Sequence, residues 1–306
     1  MITKIVLLKS LLLNKFPSGS AINYHNGKLY LIGDDANNLL VLNTDYQEID
    51  SIKLFDYSEK RIPKAEKADF ETAVLININD KTHLLILGSA SGKEREKGML
   101  IPLADDILPE PQTFSNTVFI KRVKMKGITE MNVEGATCIG DHLILSNRGN
   151  NANRENHLII TEKNFWTRQN EVTFSILPVI IPFSTKEFPG ISELCYVASK
   201  DILLFTMSSE ATDNAYDDGV IGDSYIGWVN GISRKLAGPA IRLDGLINLS
   251  EVNTDFKGEK IEGVCVESAS GNELILHLIA DNDQGESRLF NVRLEMDAEG
   301  YSPSPK

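Results

Sequence analysis

Along this chain apolar residues come in short alternating runs separated by Gly, Asn, Asp and Ser, and helical spacing is nearly absent. The runs recur in one order. After Glu134 stand a first run, a tight "GD" turn, a second run "HLILS", the polar loop "NRGNNANREN" and a third run "HLIIT". After Glu71 the second run is "HLLILG", the loop "SASGKEREKG" and the third run "MLIPL". After Glu193 they are "ILLFTM", the long acidic loop "SSEATDNAYDDGVIGD" and "SYIGWV"; after Glu262 they are "ELILHLI", "ADNDQGES" and "RLFNVRL". A fifth copy opens the chain as "SGSAINY", "HNGK", "LYLIG", "DDANN" and "LLVLN".

One more strand-like segment follows each copy but the last: "QEIDSIKL", "TVFIKRVKM", "VTFSILPVIIPF" and "KLAGPAIRL". The last copy finds its missing strand at the other end of the chain, where residues 2–13, "ITKIVLLKSLLL", stand spare. Pairing the two ends closes a ring and removes the open sheet edges that invite aggregation. The pattern therefore predicts an all-β, five-bladed β-propeller with four-stranded blades, its N-terminal strand completing the last blade. It is expected to be a single domain over 1–306, with blades starting near 18, 69, 132, 191 and 260. Four to eight such blades around a channel is the usual range.

With 42% hydrophobic and 24% charged residues the chain is composed like a globular protein with a sizeable core. Its net charge of −12 argues against nucleic acid or an anionic membrane as partner. A small anionic ligand or substrate, brought in by a cation, fits better. Cys138, Cys195 and Cys265 each follow one of the repeated glutamates inside an apolar run, which suggests small buried thiols rather than disulfides or zinc ligands. Lys9 interrupts the N-terminal apolar stretch and no small-residue cleavage site follows, so a strand in a cytoplasmic protein is expected. A periplasmic location would suit calcium better. No apolar run approaches the roughly 18 residues of a membrane helix.

The repeated carboxylates carry the candidate chemistry. The first strand of a propeller blade lines the channel, so Glu71, Glu134, Glu193 and Glu262 are expected to converge at one rim. Blade one offers Ser18 in that place, or Ser20 after a two-residue slip. Converging carboxylates either take up protons or are satisfied by a cation. Calcium, with 6–8 oxygen ligands, is the natural choice. A structural alternative stands beside it, in which each Glu accepts hydrogen bonds from backbone N–H groups of the neighbouring strand.

The loops between second and third strands share that rim. Arg148 and Arg288 are placed to fork onto a phosphate or carboxylate, with Glu134 and Glu262 for proton transfer. Asp35, Ser89, Asn147, Ser208, Asp281 and Asp283 are candidate substrate contacts. Sharper motifs are absent: "DNDQGESRLFNV" has its Gly one place early and Val292 where an EF-hand needs Glu, and "GSASGK" lacks phosphate-loop spacing. There is no G-x-S-x-G elbow and no H-E-x-x-H.

The "SG" and repeated "EG" entries, with "ADNDQGESRLF" and its preceding strand, resemble uncharacterised bacterial propellers near the phytase-type esterase-like domain. A second resemblance is to calcium-activated nucleotidases (apyrases), five-bladed propellers whose channel calcium is held by Ser and Glu residues of successive blades. By that similarity Ser18, Glu71, Glu134, Glu193 and Glu262 are the corresponding positions. The expected function is a calcium-dependent hydrolase of a phosphorylated or otherwise anionic small molecule. The alternatives are a non-catalytic propeller binding a peptide, glycan or partner protein, and a glycosidase built on two of the carboxylates.

Overall fold

In the computed structural model, which describes residues 2–103, 111–214 and 219–297, the strands form five small sheets. After β1 (Ile2–Leu13), blade one comprises β2 (Gly19–His25), β3 (Lys28–Gly33), β4 (Asn38–Asn43) and β5 (Glu48–Lys53). Blade two comprises β6 (Phe70–Ile78), β7 (Lys81–Gly88), β8 (Lys97–Pro102) and β9 (Gln112–Ser115), followed by helix α1 (Thr117–Met125). Blade three holds β10 (Val133–Ile139), β11 (His142–Asn147), β12 (Asn156–Glu162) and β13 (Phe174–Ile180). Blade four holds β14 (Pro189–Val197), β15 (Ile202–Glu210) and β16 (Ile221–Asn230), then helix α2 (Ile232–Lys235), the short β17 (Ile241–Arg242) and its own outer strand β18 (Gly245–Asn248). Helix α3 (Leu249–Val252) leads into blade five, β19 (Lys260–Ser270), β20 (Glu273–Asp281) and β21 (Ser287–Met296).

Strand β1 pairs antiparallel with β21 and completes the last blade. The molecule is thus a five-bladed propeller with four strands per blade, β17 adding a short parallel edge to blade three. Consecutive residues of the second strands are buried on both faces, which is why these strands read as unbroken apolar runs. In β7, Leu84 and Ile86 face the core shared with blade one, whereas Leu85 and Leu87 face the core shared with blade three. An apolar core lies between each pair of neighbouring blades.

Two predicted outer strands are corrected. "TVFIKRVKM" is helix α1, and the fourth strand of blade two is the preceding segment Gln112–Ser115. The helix forms because Phe119, Ile120 and Val123 stack on one side and bury against Phe165 and Phe174, a helical rather than an alternating spacing. "KLAGPAIRL" contributes only β17, which joins blade three, and blade four is finished by β18. Residues 215–218 of the long acidic loop lie outside the described residues.

Candidate functional site

Each innermost strand carries a one-residue bulge against its partner. The pairing skips Ser20 in β2, Glu71 in β6, Glu134 in β10, Ser192 in β14 and Glu262 in β19. A bulge places two residues opposite one and re-aims a side chain. These five positions are therefore equivalent: of the two candidates in blade one the register selects Ser20, and one expected ring member changes, Ser192 rather than Glu193 representing blade four.

Two further tiers follow from the same register. Two residues upstream stand Ser18, Asp69, Asn132, Gly190 and Lys260, which pair respectively with Asp34, Ser89, Arg148, Ser208 and Asp281 at the ends of the second strands. Together these tiers surround a cavity of about 80 Å³ at the channel mouth. Among the described residues its lining has eight carboxylates and five cations. Strained backbone gathers here as well, since Ser18, Asp69 and Asp283 have φ of 48°, 54° and 58°, the left-handed region that L residues seldom adopt.

Around blades three to five the charges are answered by the chain itself. Arg148, buried, lies 3.6 Å from Glu134, 3.5 Å from Glu210 and 3.8 Å from Glu262, and donates to Ser192 Oγ at 2.9 Å and Ser208 Oγ at 3.0 Å. Gly190 makes room for it: a Cβ there would stand 2.6 Å from Arg148 Nε. Lys260 Nζ meets Glu262 at 2.9 Å and Glu210 at 3.1 Å. Burial opposes ionisation of Glu210, but Lys260 and Arg148 hold its carboxyl down at about 2. Burial pushes Glu134 up to about 7 even with Arg148 beside it, and Asn132 Nδ2 donates to its Oε1 at 2.7 Å.

Blades five, one and two are different. Ligand oxygens of Asp34, Asp69 and Glu71 all lie within 4.8 Å of one another. Lys67 bridges Asp34 and Asp69, Arg95 meets Asp69 at 2.8 Å, and Asp34 Oδ1 is buried without a hydrogen bond. Burial, reinforced by Asp69, Glu134 and Asp34, raises Glu71 well above the usual carboxylate range. Burial likewise lifts Asp34 to about 6, and burial with Asp34 nearby lifts Asp281 to about 7. The cavity is thus short of positive charge on this side.

Glu193 lies one residue past the bulge and points below the ring. In that tier the other blades have Ala21, Thr72, Gly135 and Gly263. Its Oε1 accepts from the N–H of Ala136 and of Leu194, each at 2.8 Å, and Thr72 Oγ1 reaches it from blade two at 3.2 Å. This is the structural use of a repeated Glu, realised among the described residues in blade four. The packing also explains "EG": a Cβ on Gly135 would lie 2.9 Å from Glu193 Cα, and one on Gly263 would lie 3.0 Å from Ile22 N. Beneath Glu193 opens a separate cavity of about 250 Å³ on the lower side of the channel.

The remaining candidates separate. Asp281, Asp283 and Ser18 line the mouth. Ser208 braces Arg148, Ser89 donates to Asp69, and Asn147 Oδ1 accepts from Asn132 N–H at 2.8 Å. Asp35 is held by Arg61, and Arg288 pairs with Glu259 at 2.6 Å; neither lines the mouth. The cysteines are free and pack into three different blade interfaces, where burial pushes Cys138 to about 11 and Cys195 to about 12. Sequence reading missed Lys67, Asp69, Arg95 and Lys260. Asp69 and Lys260 carried a signal, since each stands two residues before a ring glutamate.

No helix among the described residues is long and apolar enough to cross a membrane. No curated protein matches the chain. Among solved structures it is similar to the glutaminyl cyclase of Myxococcus xanthus, at 12% identity over 96% of this chain and 97% of that one, with a TM-score of 0.54. It is also similar to the tail fibre of Staphylococcus aureus phage P68, at 10% identity over 95% of this chain and 53% of that one, with a TM-score of 0.50. At such identities the likeness is one of fold. The family model that matches, over residues 15–294, is a family of unknown function (DUF6929), and the chain belongs to that family.

Proposed function

We propose that the channel mouth is the working site of a divalent-cation-dependent hydrolase of a small anionic molecule, with a cation of the calcium type held by Asp34, Asp69 and Glu71. The observation behind this reading is the convergence of those three carboxylates, within 4.8 Å of one another, in a cavity where carboxylates outnumber cations eight to five. Calcium–oxygen distances of about 2.3–2.6 Å put two ligand oxygens at most about 5 Å apart, so the spacing suits one hard cation. Lys67 already answers Asp34 and Asp69, so an incoming ion competes with its ammonium.

Bound there, the cation supplies the positive charge that admits an anionic group to an acidic mouth. The chain's own residues do the rest. Glu134 is the proton acceptor for an attacking water, since a base near pKa 7 is suited to neutral pH. Asn132 orients its carboxylate, and Arg148 holds it in place rather than offering a fork to substrate.

Equilibrium dialysis against calcium, with thermal melting in EDTA and in ~1 mM calcium, tests this. One ion per chain and a higher Tm are expected, with Glu71→Gln losing the ion. Glu134→Gln should keep the ion and the fold but lose turnover of phosphate esters. Failure to take up calcium, magnesium or manganese sinks the reading. A second reading, a non-catalytic binding propeller, is favoured by one observation: Arg148 and Lys260 already satisfy Glu134, Glu210 and Glu262. Cation uptake with no turnover of any ester would select it.

A further inference from the structure

We infer that the anionic molecule taken at the channel mouth is a hydroxyl-rich sugar or polyol phosphate and not a nucleotide; this rests on the cation-dependent reading of the same site. The ground is the chemistry of the lining. Small-molecule sites are ordinarily walled mostly by apolar and aromatic side chains. Among the described residues this mouth has none of either kind, only Ser, Thr, Asn, Gly and charged residues. A base gains about 1–3 kcal/mol by stacking on an aromatic ring, and none of the described lining residues supplies one. An apolar group entering here would also desolvate carboxylates and ammonium groups without returning a hydrogen bond, which is costly.

The lining is also two-sided. Asp34, Asp69 and Glu71 stand on the side of blades one and two, where a cation would draw the phosphate. Of the five lining cations, Lys67, Arg95, Arg148 and Lys260 are each ion-paired with carboxylates of the chain, so most of the basic side chains here are already engaged and the phosphate is drawn chiefly by the cation. Across from them Asn132, Asn150, Thr212 and Asn214 line the same cavity. Amide and hydroxyl groups both donate and accept, the pairing that sugar hydroxyls require. Asn150 is held rigidly by its own loop, its Oδ1 accepting from the N–H of Ala152 at 3.0 Å and of Asn153 at 2.8 Å and its Nδ2 donating to Glu130 at 2.8 Å, so it serves a hydroxyl as a donor through its second amide hydrogen. With about 80 Å³ of room, the cavity admits a small head group and leaves the rest at this polar rim.

The test is calorimetric titration of the calcium-loaded chain with ribose 5-phosphate, glucose 6-phosphate and AMP. Ribose 5-phosphate and AMP share sugar and phosphate and differ by the base. The expected result is that both sugar phosphates bind and that AMP binds no tighter than ribose 5-phosphate. Asn214→Ala should weaken the sugar phosphates about fivefold and leave calcium uptake unchanged. AMP binding tenfold tighter than ribose 5-phosphate overturns the inference, as does a chain that takes up calcium but binds neither sugar phosphate. A chain that takes up no calcium refutes the preceding reading, and this inference with it.

Discussion

The two sides of the channel mouth are built from equivalent positions of one repeat and have opposite electrostatic outcomes. On blades three to five, Arg148 and Lys260 neutralise Glu134, Glu210 and Glu262, while Ser192 stands in place of a ring glutamate and Gly190 opens space where the guanidinium lies. On blades five, one and two, Asp34, Asp69, Glu71 and Asp281 crowd together around Lys67 and Arg95, and three of the four have raised pKa values. One side is a charge-balanced ion-pair network, although both Glu262 oxygens are buried without a hydrogen bond, and the other is short of positive charge. A repeat therefore specifies where side chains point, while single substitutions within it decide whether that place braces the ring or attracts a ligand.

The largest expected effect comes from breaking the balanced side. Arg148→Met leaves buried Glu134 without its cation and Glu210 and Glu262 with Lys260 alone, and should cost about 3–5 kcal/mol of unfolding free energy, measured by urea denaturation at neutral pH. A loss below about 1 kcal/mol would show that the network does not brace the ring. Lys67→Met attacks the other side. It should lower stability by about 3 kcal/mol in EDTA, with most of the loss restored by calcium, because the ion takes the place of the ammonium. Restoration by calcium in Arg148→Met as well would erase the distinction between the two sides.

Gly135→Ala probes the tight tier below both. Its Cβ would meet backbone atoms at 2.9 Å, and strain of about 1–3 kcal/mol is expected in the denaturation midpoint. The smallest effect is that of Glu193→Gln. Burial raises the folded-state pKa of Glu193 above its ordinary 4.5, so its contribution to stability is complete at low pH and is lost as pH rises toward the folded value. A glutamine keeps the acceptor for Ala136 and Leu194 without titrating. The difference in urea midpoint between pH 5 and pH 8 should therefore shrink in this variant, and an unchanged difference would assign the pH dependence to the mouth carboxylates instead.

Much of the architecture was legible because alternation of apolar residues reports directly on strand faces. Five copies and a spare N-terminal strand were enough to predict the closed ring. Helix α1 was misread because Val118, Phe119 and Ile120 look like part of a strand until Phe165 and Phe174, distant in sequence, select the helical face. Glu193 was aligned with the ring because a bulge leaves no mark in the sequence, and a slip of one residue turns a strand's side chains to the other face. The same bulge hid Ser192.

By itself, then, the sequence determined the number of blades, the closure of the ring and which strand of each blade lines the channel, since these depend on periodicity along the chain. Tertiary structure alone decided which charges are answered. Arg148 meets carboxylates of blades three, four and five, while Lys67 comes from the connection into blade two and Arg95 from that blade's loop between second and third strands. Coulombic pairing depends on separation in space and on exclusion of water, and neither is set until the blades close around the channel.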